Sequence, residues 1–268
     1  MKTLPTVHFA DAYLLNPTNP IMVNLIGAGG NGSEMLRELA KMNYSMTALG
    51  HPGIHVTLYD DDKVSPFNRG RQEFAETEIG LYKSVVLINR ANRFYGTNWK
   101  AVNSQFRSDN YKRFTNRGMA NIFISCTDSA SSRFDIAEAL KQIRIASKWE
   151  RNKALYWMDL GNSRFTGQVI LSTLCEIEQP SSEKYRPIAM LPIITEEFEE
   201  LLKAQDDTNE PSCSTAEALE KQDLYINPVV VNFACTLLWQ FLRNGLTENR
   251  GVFVNLETFQ TQPIKITG

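Results

Sequence analysis

The sequence predicts an α/β fold in which helices cover both faces of a doubly wound, mostly parallel sheet. Short apolar runs alternate along the chain with segments of helical spacing, and several runs end in glycines or carboxylates. This alternation is typical of parallel sheets, because parallel strands need a long crossover connection that is usually helical. With 268 residues, the chain can form one large domain or two small ones.

Apolar periodicity predicts the elements of the first half. Residues 21–26 form a strand that ends in glycines, and apolar residues follow it at helical intervals. The elements expected next are a strand at 54–59, a helix at 78–95, a strand near 99–103, a strand within 121–129 and a helix at 132–150.

The second half contains a segment of different character. Residues 175–212 are rich in proline, serine and acidic residues, which predicts a long crossover loop with one short helix near 195–204. Around it we expect two strands within 154–173, a buried helix at 228–242 and a closing hairpin at 251–267.

Composition indicates an ordinary cytoplasmic protein. The 28 basic and 30 acidic residues nearly cancel, so charge favours neither nucleic acid nor an anionic membrane surface as partner. We expect no secretory signal and no membrane span, because the chain lacks apolar runs of the necessary length. The four cysteines show neither a paired zinc spacing nor a dense disulfide pattern.

A glycine loop joins the first strand to its helix. Gly27, Gly29 and Gly32 match G-x-G-x-x-G, with Gly30 as an extra glycine. Such a loop brings backbone N–H groups and a helix N-terminus close to phosphate oxygens, as in Rossmann-like folds. A purely structural tight turn is the alternative.

Carboxylates follow the second strand. Asp60 lies beyond the roughly twenty residues at which a dinucleotide fold places its ribose-binding acid, so position leaves a dinucleotide and ATP both open. The polar residues that follow are Asp62, Asn68, Arg71, Gln72 and Lys83. Because a triphosphate needs more cationic compensation than a pyrophosphate held by backbone amides, this group favours ATP over a nicotinamide cofactor.

A third strand end carries Asp128. A carboxylate there suits Mg²⁺, which takes one or two carboxylates together with phosphate oxygens. The alternative is that Asp128 only caps the following helix.

Four ordered blocks carry a resemblance to a known family. They are Gly27-Ala28-Gly29-Gly30-Asn31-Gly32, then Asp60-x-Asp62-x-Val64 with Asn68, Arg71 and Gln72, then Gly80-x-x-Lys83, and Cys126-Thr127-Asp128. They resemble the ThiF family of adenylating enzymes, bacterial relatives of ubiquitin-activating enzymes. The likeness is strongest to the ThiF-type proteins of PRTRC systems.

The resemblance implies a single adenylation domain, 1–268, with a nucleotide-binding half at 21–150 and a partner-binding half at 151–268 that contains the crossover loop. It implies ATP and Mg²⁺ as cofactors, a homodimer, and a small ubiquitin-like or sulfur-carrier-like protein as partner. The expected reaction is adenylation of that partner's C-terminal carboxylate. An ATP-binding scaffold without turnover and an NAD-dependent oxidoreductase are the alternatives.

The resemblance also implies roles for particular residues. The residues that it implies bind the nucleotide are Gly27, Gly29, Gly30, Gly32, Asp60, Asp62, Asn68, Arg71, Gln72 and Lys83. Asp60 would bind the ribose and Asp128 the magnesium ion. Arg71, Lys83, Asp128 and Cys213 would be catalytic, with Cys213 accepting the acyl group, unless it is only a small residue in a loop.

The chain departs from the family pattern in places. It lacks the two C-x-x-C pairs that hold zinc in many relatives, so zinc is not expected, and it lacks their N-terminal arginine. Ser129 replaces the asparagine that follows the aspartate. Arg133 matches a family position, and we prefer a solvated helix residue to a phosphate contact there.

Overall fold

The computed structural model describes residues 4–68, 72–205 and 222–268. The strands are β1 (Thr6–Phe9), β2 (Ile21–Ile26), β3 (Ile54–Tyr59), β4 (Lys100–Val102), β5 (Ile122–Ser125), β6 (Tyr156–Asn162), β7 (Thr166–Thr173), β8 (Arg186–Pro187), β9 (Leu246–Thr247), β10 (Asn249–Asn255) and β11 (Gln260–Lys265). The helices are α1 (Ala12–Leu15), α2 (Gly30–Ala48), α3 (Lys83–Tyr95), α4 (Ala130–Ala146), α5 (Ile194–Glu197), α6 (Glu199–Gln205) and α7 (Ile226–Asn244).

Eight of the described strands form one sheet in the order β11-β10-β7-β6-β5-β2-β3-β4. Strands β2 to β6 pair in parallel, whereas β7, β10 and β11 run antiparallel at one end. The order reverses at β2, since the chain moves outward to β3 and β4 and then returns to β5 on the other side. The predicted Rossmann-like, doubly wound and mostly parallel sheet is confirmed.

The strand register brings the loops of the first half to one edge. Ile26 at the end of β2 pairs with Tyr59 at the end of β3 and with Ser125 at the end of β5. Ser125 in turn pairs with Asp159 in β6. The segments that leave these strands therefore lie side by side at the carboxyl edge, next to the topological switch point where α/β folds bind ligands.

Several boundaries match the sequence and others do not. The strands at 21–26 and 54–59 and the closing hairpin are confirmed. The helix predicted at 78–95 begins only at Lys83, because Gly80 has a positive φ of 87° that interrupts the helix. The single helix predicted near 195–204 is two short helices, α5 and α6.

The α7 helix buries one side rather than its whole surface. Its buried residues include Val230, Val231 and Leu238, which belong to the main apolar core. Phe233, in contrast, is 37% exposed, and Asn232 is also exposed. The expectation of a helix apolar nearly all round is therefore correct for the core side only.

The N-terminal segment was missed by the sequence patterns. β1 lies between β8 and β9 in a separate three-stranded sheet. His8 on β1 is fully buried, and its ring nitrogens hydrogen-bond the Ile188 carbonyl and the Tyr156 hydroxyl. Burial lowers the pKa of His8.

In the described part of the chain, no helix is both long and apolar enough to cross a membrane.

Candidate nucleotide-binding site

A cavity of about 570 Å³ opens at the carboxyl edge of the parallel strands. The predicted site residues that line it are Gly27, Gly29, Gly30, Asp60, Asp62, Gln72, Lys83 and Asp128. They come from the loops after β2, β3 and β5 and from the start of α3. The fold thus brings residues that are about a hundred positions apart into one cavity of the size typical for small-molecule sites.

The glycine loop is closely packed on one side and open on the other. Gly27 has a φ of 96°, and a Cβ there would lie 2.7 Å from the Cys126 carbonyl oxygen. A Cβ on Gly32 would lie 1.9 Å from the Gly27 carbonyl oxygen, which excludes a side chain. A Cβ on Gly29 would meet nothing within 4 Å, so this residue faces open space at the start of α2. The role of Gly32 in the structure is packing, since it is not among the cavity-lining residues.

Asp60 connects the end of β3 to the glycine loop. Its carboxylate accepts hydrogen bonds from the Ala28 N–H at 2.7 Å and from the Asp62 N–H at 3.0 Å. Burial raises the pKa of Asp60 to about 6, against the opposing effects of these two N–H groups and of Lys83. Ionised Asp60 is therefore held in an unfavourable environment, which is common for groups at functional sites.

Lys83 begins α3 and reaches back to the same edge. Its side chain is only 8% exposed, and its ammonium lies 2.9 Å from a carboxylate oxygen of Asp62, which is 65% exposed. The Lys83 backbone N–H also donates to the Asp62 carbonyl at 2.9 Å. A nearly buried cation is thus fixed at the cavity wall.

The remaining residues of the second block lie in different places. Gln72 lines the cavity, and its Oε1 atom is buried without a hydrogen-bond partner. Asn68 does not line the cavity, and its Oδ1 accepts from the backbone N–H and the hydroxyl of Ser65 at 2.8 and 3.0 Å. Its predicted role in nucleotide binding stays a prediction. Arg71 lies outside the described residues, as does Cys213.

The loop after β5 carries Asp128 and leads into α4. The N-cap of α4 is Ser129, whose hydroxyl accepts from the Ser132 N–H at 3.2 Å. The N-cap position of α4 therefore belongs to Ser129, and the role of Asp128 as a metal ligand stays a prediction. Asp128 is exposed and lines the cavity beside Thr127, whose hydroxyl is buried without a hydrogen-bond partner.

Three asparagines at the cavity were not singled out by sequence. Asn31 follows the glycine loop, Asn162 ends β6 and Asn227 begins α7. The amide of Asn31 donates to Asn162 Oδ1 at 2.7 Å, which leaves Asn31 Oδ1 without a partner. Asn227 is 1% exposed, and its Nδ2 also lacks a partner. A Cβ on Gly30 would lie 2.4 Å from that Nδ2 atom, so Gly30 makes room for it.

Arg133 is buried, contrary to the preferred expectation. It is 4% exposed, and its guanidinium Nε lies 3.0 Å from Asp159, itself 1% exposed. It is not among the residues that line the cavity. The interpretation of Arg133 as a solvated helix residue is therefore wrong.

Among the described residues that line the cavity, acidic side chains outnumber basic ones. Its acidic lining residues are Asp60, Asp61, Asp62, Asp128 and Asp135, and its basic ones are Lys83 and Arg107. Arg107 lies 3.4 Å from Asp135. Within the described residues, no group of three or more His, Cys, Asp or Glu side chains is arranged to hold a metal ion. A cation here would need ligand oxygens in addition to those of the protein.

A protein-family model described as "ThiF family" matches residues 18–266 of the chain. The chain belongs to the ThiF family. Among curated proteins, no sequence matches it.

Solved structures show the same fold at low sequence identity. PaaA has a TM-score of 0.59 at 13% identity, with 92% of this chain and 64% of PaaA covered. E. coli MccB solved with MccA has a TM-score of 0.57 at 15% identity, with 94% of this chain and 64% of MccB covered. MccB solved with ATP gives the same values. This ThiF-family chain thus spans less than two thirds of the length of both proteins.

Proposed function

We propose that this protein uses ATP to adenylate the C-terminal carboxylate of a small ubiquitin-like or sulfur-carrier-like protein. The observation that carries the proposal is the convergence of Gly29, Asp60, Lys83 and Asp128 on one cavity. Membership of the ThiF family supports it, as does the shared fold with MccB, which has been solved with ATP and with MccA.

The polar atoms of the cavity fit a nucleotide. Buried polar atoms without partners are rare in folded proteins, because each costs about 1–3 kcal/mol. Four lie on residues that line this cavity: Asn31 Oδ1, Gln72 Oε1, Thr127 Oγ1 and Asn227 Nδ2. A ligand rich in hydroxyl, amino and phosphate groups supplies partners for such atoms. An apolar ligand does not.

The charges of the cavity fit ATP together with a divalent cation. A triphosphate alone would face five carboxylates and two cationic side chains among the described lining residues. When bound, Mg²⁺ would supply the missing positive charge, and Asp128 would hold it together with phosphate oxygens. Lys83 then stabilises charge on the phosphates, and Arg71 is proposed for the same task.

The chemistry consists mainly of positioning and charge stabilisation. A carboxylate oxygen of the partner attacks the α-phosphorus of ATP, and the bond from that phosphorus to the bridging oxygen of the β-phosphate breaks. Pyrophosphate leaves with the bonding electrons, and the product is an acyl-adenylate. The glycine loop and the N-terminus of α2 hold phosphate oxygens through backbone N–H groups. Ionised Asp60 accepts from the ribose hydroxyls.

ATP–pyrophosphate exchange in the presence of magnesium tests the proposal. We expect exchange by the wild type with a suitable ubiquitin-like protein, and none by Asp128→Ala, because the metal ligand is lost. Asp109→Ala is the matched control, since Asp109 is exposed and does not line the cavity. Undiminished exchange by Asp128→Ala would refute the proposed role of this residue.

Binding measurements with ATP and with NADH, made beside the exchange assay, separate the alternatives. ATP binding without exchange would favour a nucleotide-binding scaffold, and tight NADH binding would favour an oxidoreductase. The PRTRC association, the homodimer, the absence of zinc, the cytoplasmic location and acyl transfer to Cys213 derive from the sequence and its resemblance, and they stay predictions.

A further inference from the structure

In addition to its buried ion pair, Arg133 donates hydrogen bonds to the loop after β5. One Nη atom donates to the Thr127 carbonyl at 2.7 Å, and the other donates to the Ser129 carbonyl at 3.2 Å. These two carbonyls belong to the residues on either side of Asp128. The guanidinium therefore holds both neighbours of the proposed metal ligand without contacting the cavity.

Asp159 fixes the guanidinium from the opposite side. Arg133 Nε lies 3.0 Å from both carboxylate oxygens of Asp159. Asp159 Oδ1 also accepts from the Ser125 hydroxyl at 2.5 Å, and that hydroxyl accepts from the Trp157 indole N–H at 2.8 Å. This chain of hydrogen bonds connects two core strands, β5 and β6, to the loop that carries Asp128.

The local sequence makes space for this arrangement. A Cβ on Gly161 would lie 2.6 Å from an Nη atom of Arg133. The same Nη atom also donates to the Leu160 carbonyl at 3.3 Å. Glycine at position 161 thus allows the guanidinium to lie close to β6 while it reaches the loop.

A buried ion pair is weak evidence for stability, because the loss of hydration offsets much of the attraction between the charges. Its clearer value is geometric, since a planar guanidinium donates in several fixed directions at once. Because the peptide group before Asp128 and the peptide group after Ser129 are both held, the backbone between them, which carries the Asp128 side chain, is restrained at both ends.

We propose that the buried Arg133–Asp159 pair is a positioning device that holds the Asp128 loop in the geometry required to bind a divalent cation with the nucleotide. The proposal rests on the function proposed above and assigns Arg133 no contact with ATP. Removal of such an outer partner of a metal ligand typically lowers metal affinity about 10–100-fold.

Two variants test the proposal. Arg133→Lys keeps a cation beside Asp159 but cannot reach both loop carbonyls. In case this variant does not fold, the double variant Arg133→Met/Asp159→Leu removes both buried charges together, which proteins often tolerate. Arg144→Lys is the matched control, because Arg144 lies on the same helix, is exposed and hydrogen-bonds the Leu174 carbonyl.

The first measurement is hydrogen exchange of the ligand-free protein by mass spectrometry. We expect peptides that cover residues 126–131 to exchange about 10-fold faster in Arg133→Lys and in the double variant than in the wild type. Peptides from β2 and the Arg144→Lys control should be unchanged. Equal exchange at 126–131 in all four proteins would overturn the proposal, whether or not the protein binds ATP.

The second measurement is calorimetric titration with ATP in EDTA and in magnesium. In EDTA, we expect Arg133→Lys to bind ATP with the same affinity as the wild type. In magnesium, we expect the gain in ATP affinity to be about 10-fold smaller for Arg133→Lys than for the wild type. An equal loss in both conditions would mean a general structural role and would overturn the proposal. If the wild type does not bind ATP while exchange at 126–131 is faster in the variants, the proposed function fails and the positioning of the loop is supported.

Discussion

Asp60 gives the sharpest test of the electrostatics of the cavity. Replacement by asparagine removes the charge while it keeps nearly the same shape. Burial raises the pKa of Asp60 from its ordinary value of 3.8 to about 6 in the folded protein. The wild type therefore has a pH dependence of stability that Asp60→Asn lacks.

The sign follows from proton linkage. A carboxyl group with a higher pKa in the folded than in the unfolded state binds its proton more tightly when folded. Its contribution to stability is full below about pH 4, where both states are protonated, and it is lost as the pH rises through about 6. Since one pKa unit corresponds to about 1.4 kcal/mol, the loss is about 3 kcal/mol.

A second effect of the substitution does not depend on pH. Asparagine has one carboxamide oxygen, so it cannot accept from both the Ala28 and the Asp62 N–H groups. We expect a constant loss of about 1 kcal/mol from the weakened hydrogen bond. The difference in free energy of unfolding between the wild type and Asp60→Asn therefore has two parts. Its change with pH reports the pKa of Asp60, and its pH-independent part reports the weakened hydrogen bond.

The assay is urea denaturation of both proteins between about pH 4 and pH 8, monitored by tryptophan fluorescence. Trp99 and Trp157 are buried and are suitable reporters. We expect the free energy of unfolding of the wild type to fall relative to Asp60→Asn by about 3 kcal/mol over this range. Asp61→Asn is the control, because Asp61 is an exposed neighbour. Parallel curves for the wild type and Asp60→Asn would refute the reasoning.

Two further substitutions test the neighbouring walls of the cavity. Lys83→Met should weaken binding of MgATP about 10–100-fold in calorimetric titration, because a charge-assisted hydrogen bond is lost. The control Lys41→Met, at an exposed helix position, should bind normally, and equal affinities for both variants would exclude a phosphate contact. Gly32→Ala should lower stability by about 2–3 kcal/mol, because its Cβ would meet the Gly27 carbonyl oxygen at 1.9 Å, whereas Gly29→Ala has open space. Equal melting temperatures for the two alanine variants would contradict that packing.

The sequence predicts those parts of the fold and site that depend on local pattern. β2 and β3 are short apolar runs bounded by glycines or carboxylates, and their bounds agree with the structure. The glycine loop and Asp60 lie at the ends of these strands. Once the strands pair in parallel, their loops must share one edge, so placing these residues together requires no knowledge of distant contacts.

Residues whose role depends on distant contacts are not predictable in this way. Asn227 lies at the start of α7, far in sequence from Gly30, which it faces, and nothing in its local sequence distinguishes it. Arg133 has helical neighbours typical of a solvated surface. Its burial follows from Asp159 and from the space over Gly161, both on another strand. Such pairings become visible only in three dimensions.

The properties of the cavity indicate a site organised for a ligand that brings positive charge with it. Asp60 has a raised pKa, Asn31 and Asn227 hold polar atoms without partners, and carboxylates outnumber cations among the described lining residues. Each feature is unfavourable in the ligand-free protein, and under the proposed function each would become favourable on binding of a nucleotide together with a divalent cation. The ligand-free protein should therefore be less stable at neutral pH than its core would allow, and binding should restore part of that stability. A site that served only as a tight structural turn would show none of these features, because an unliganded turn gains nothing from them.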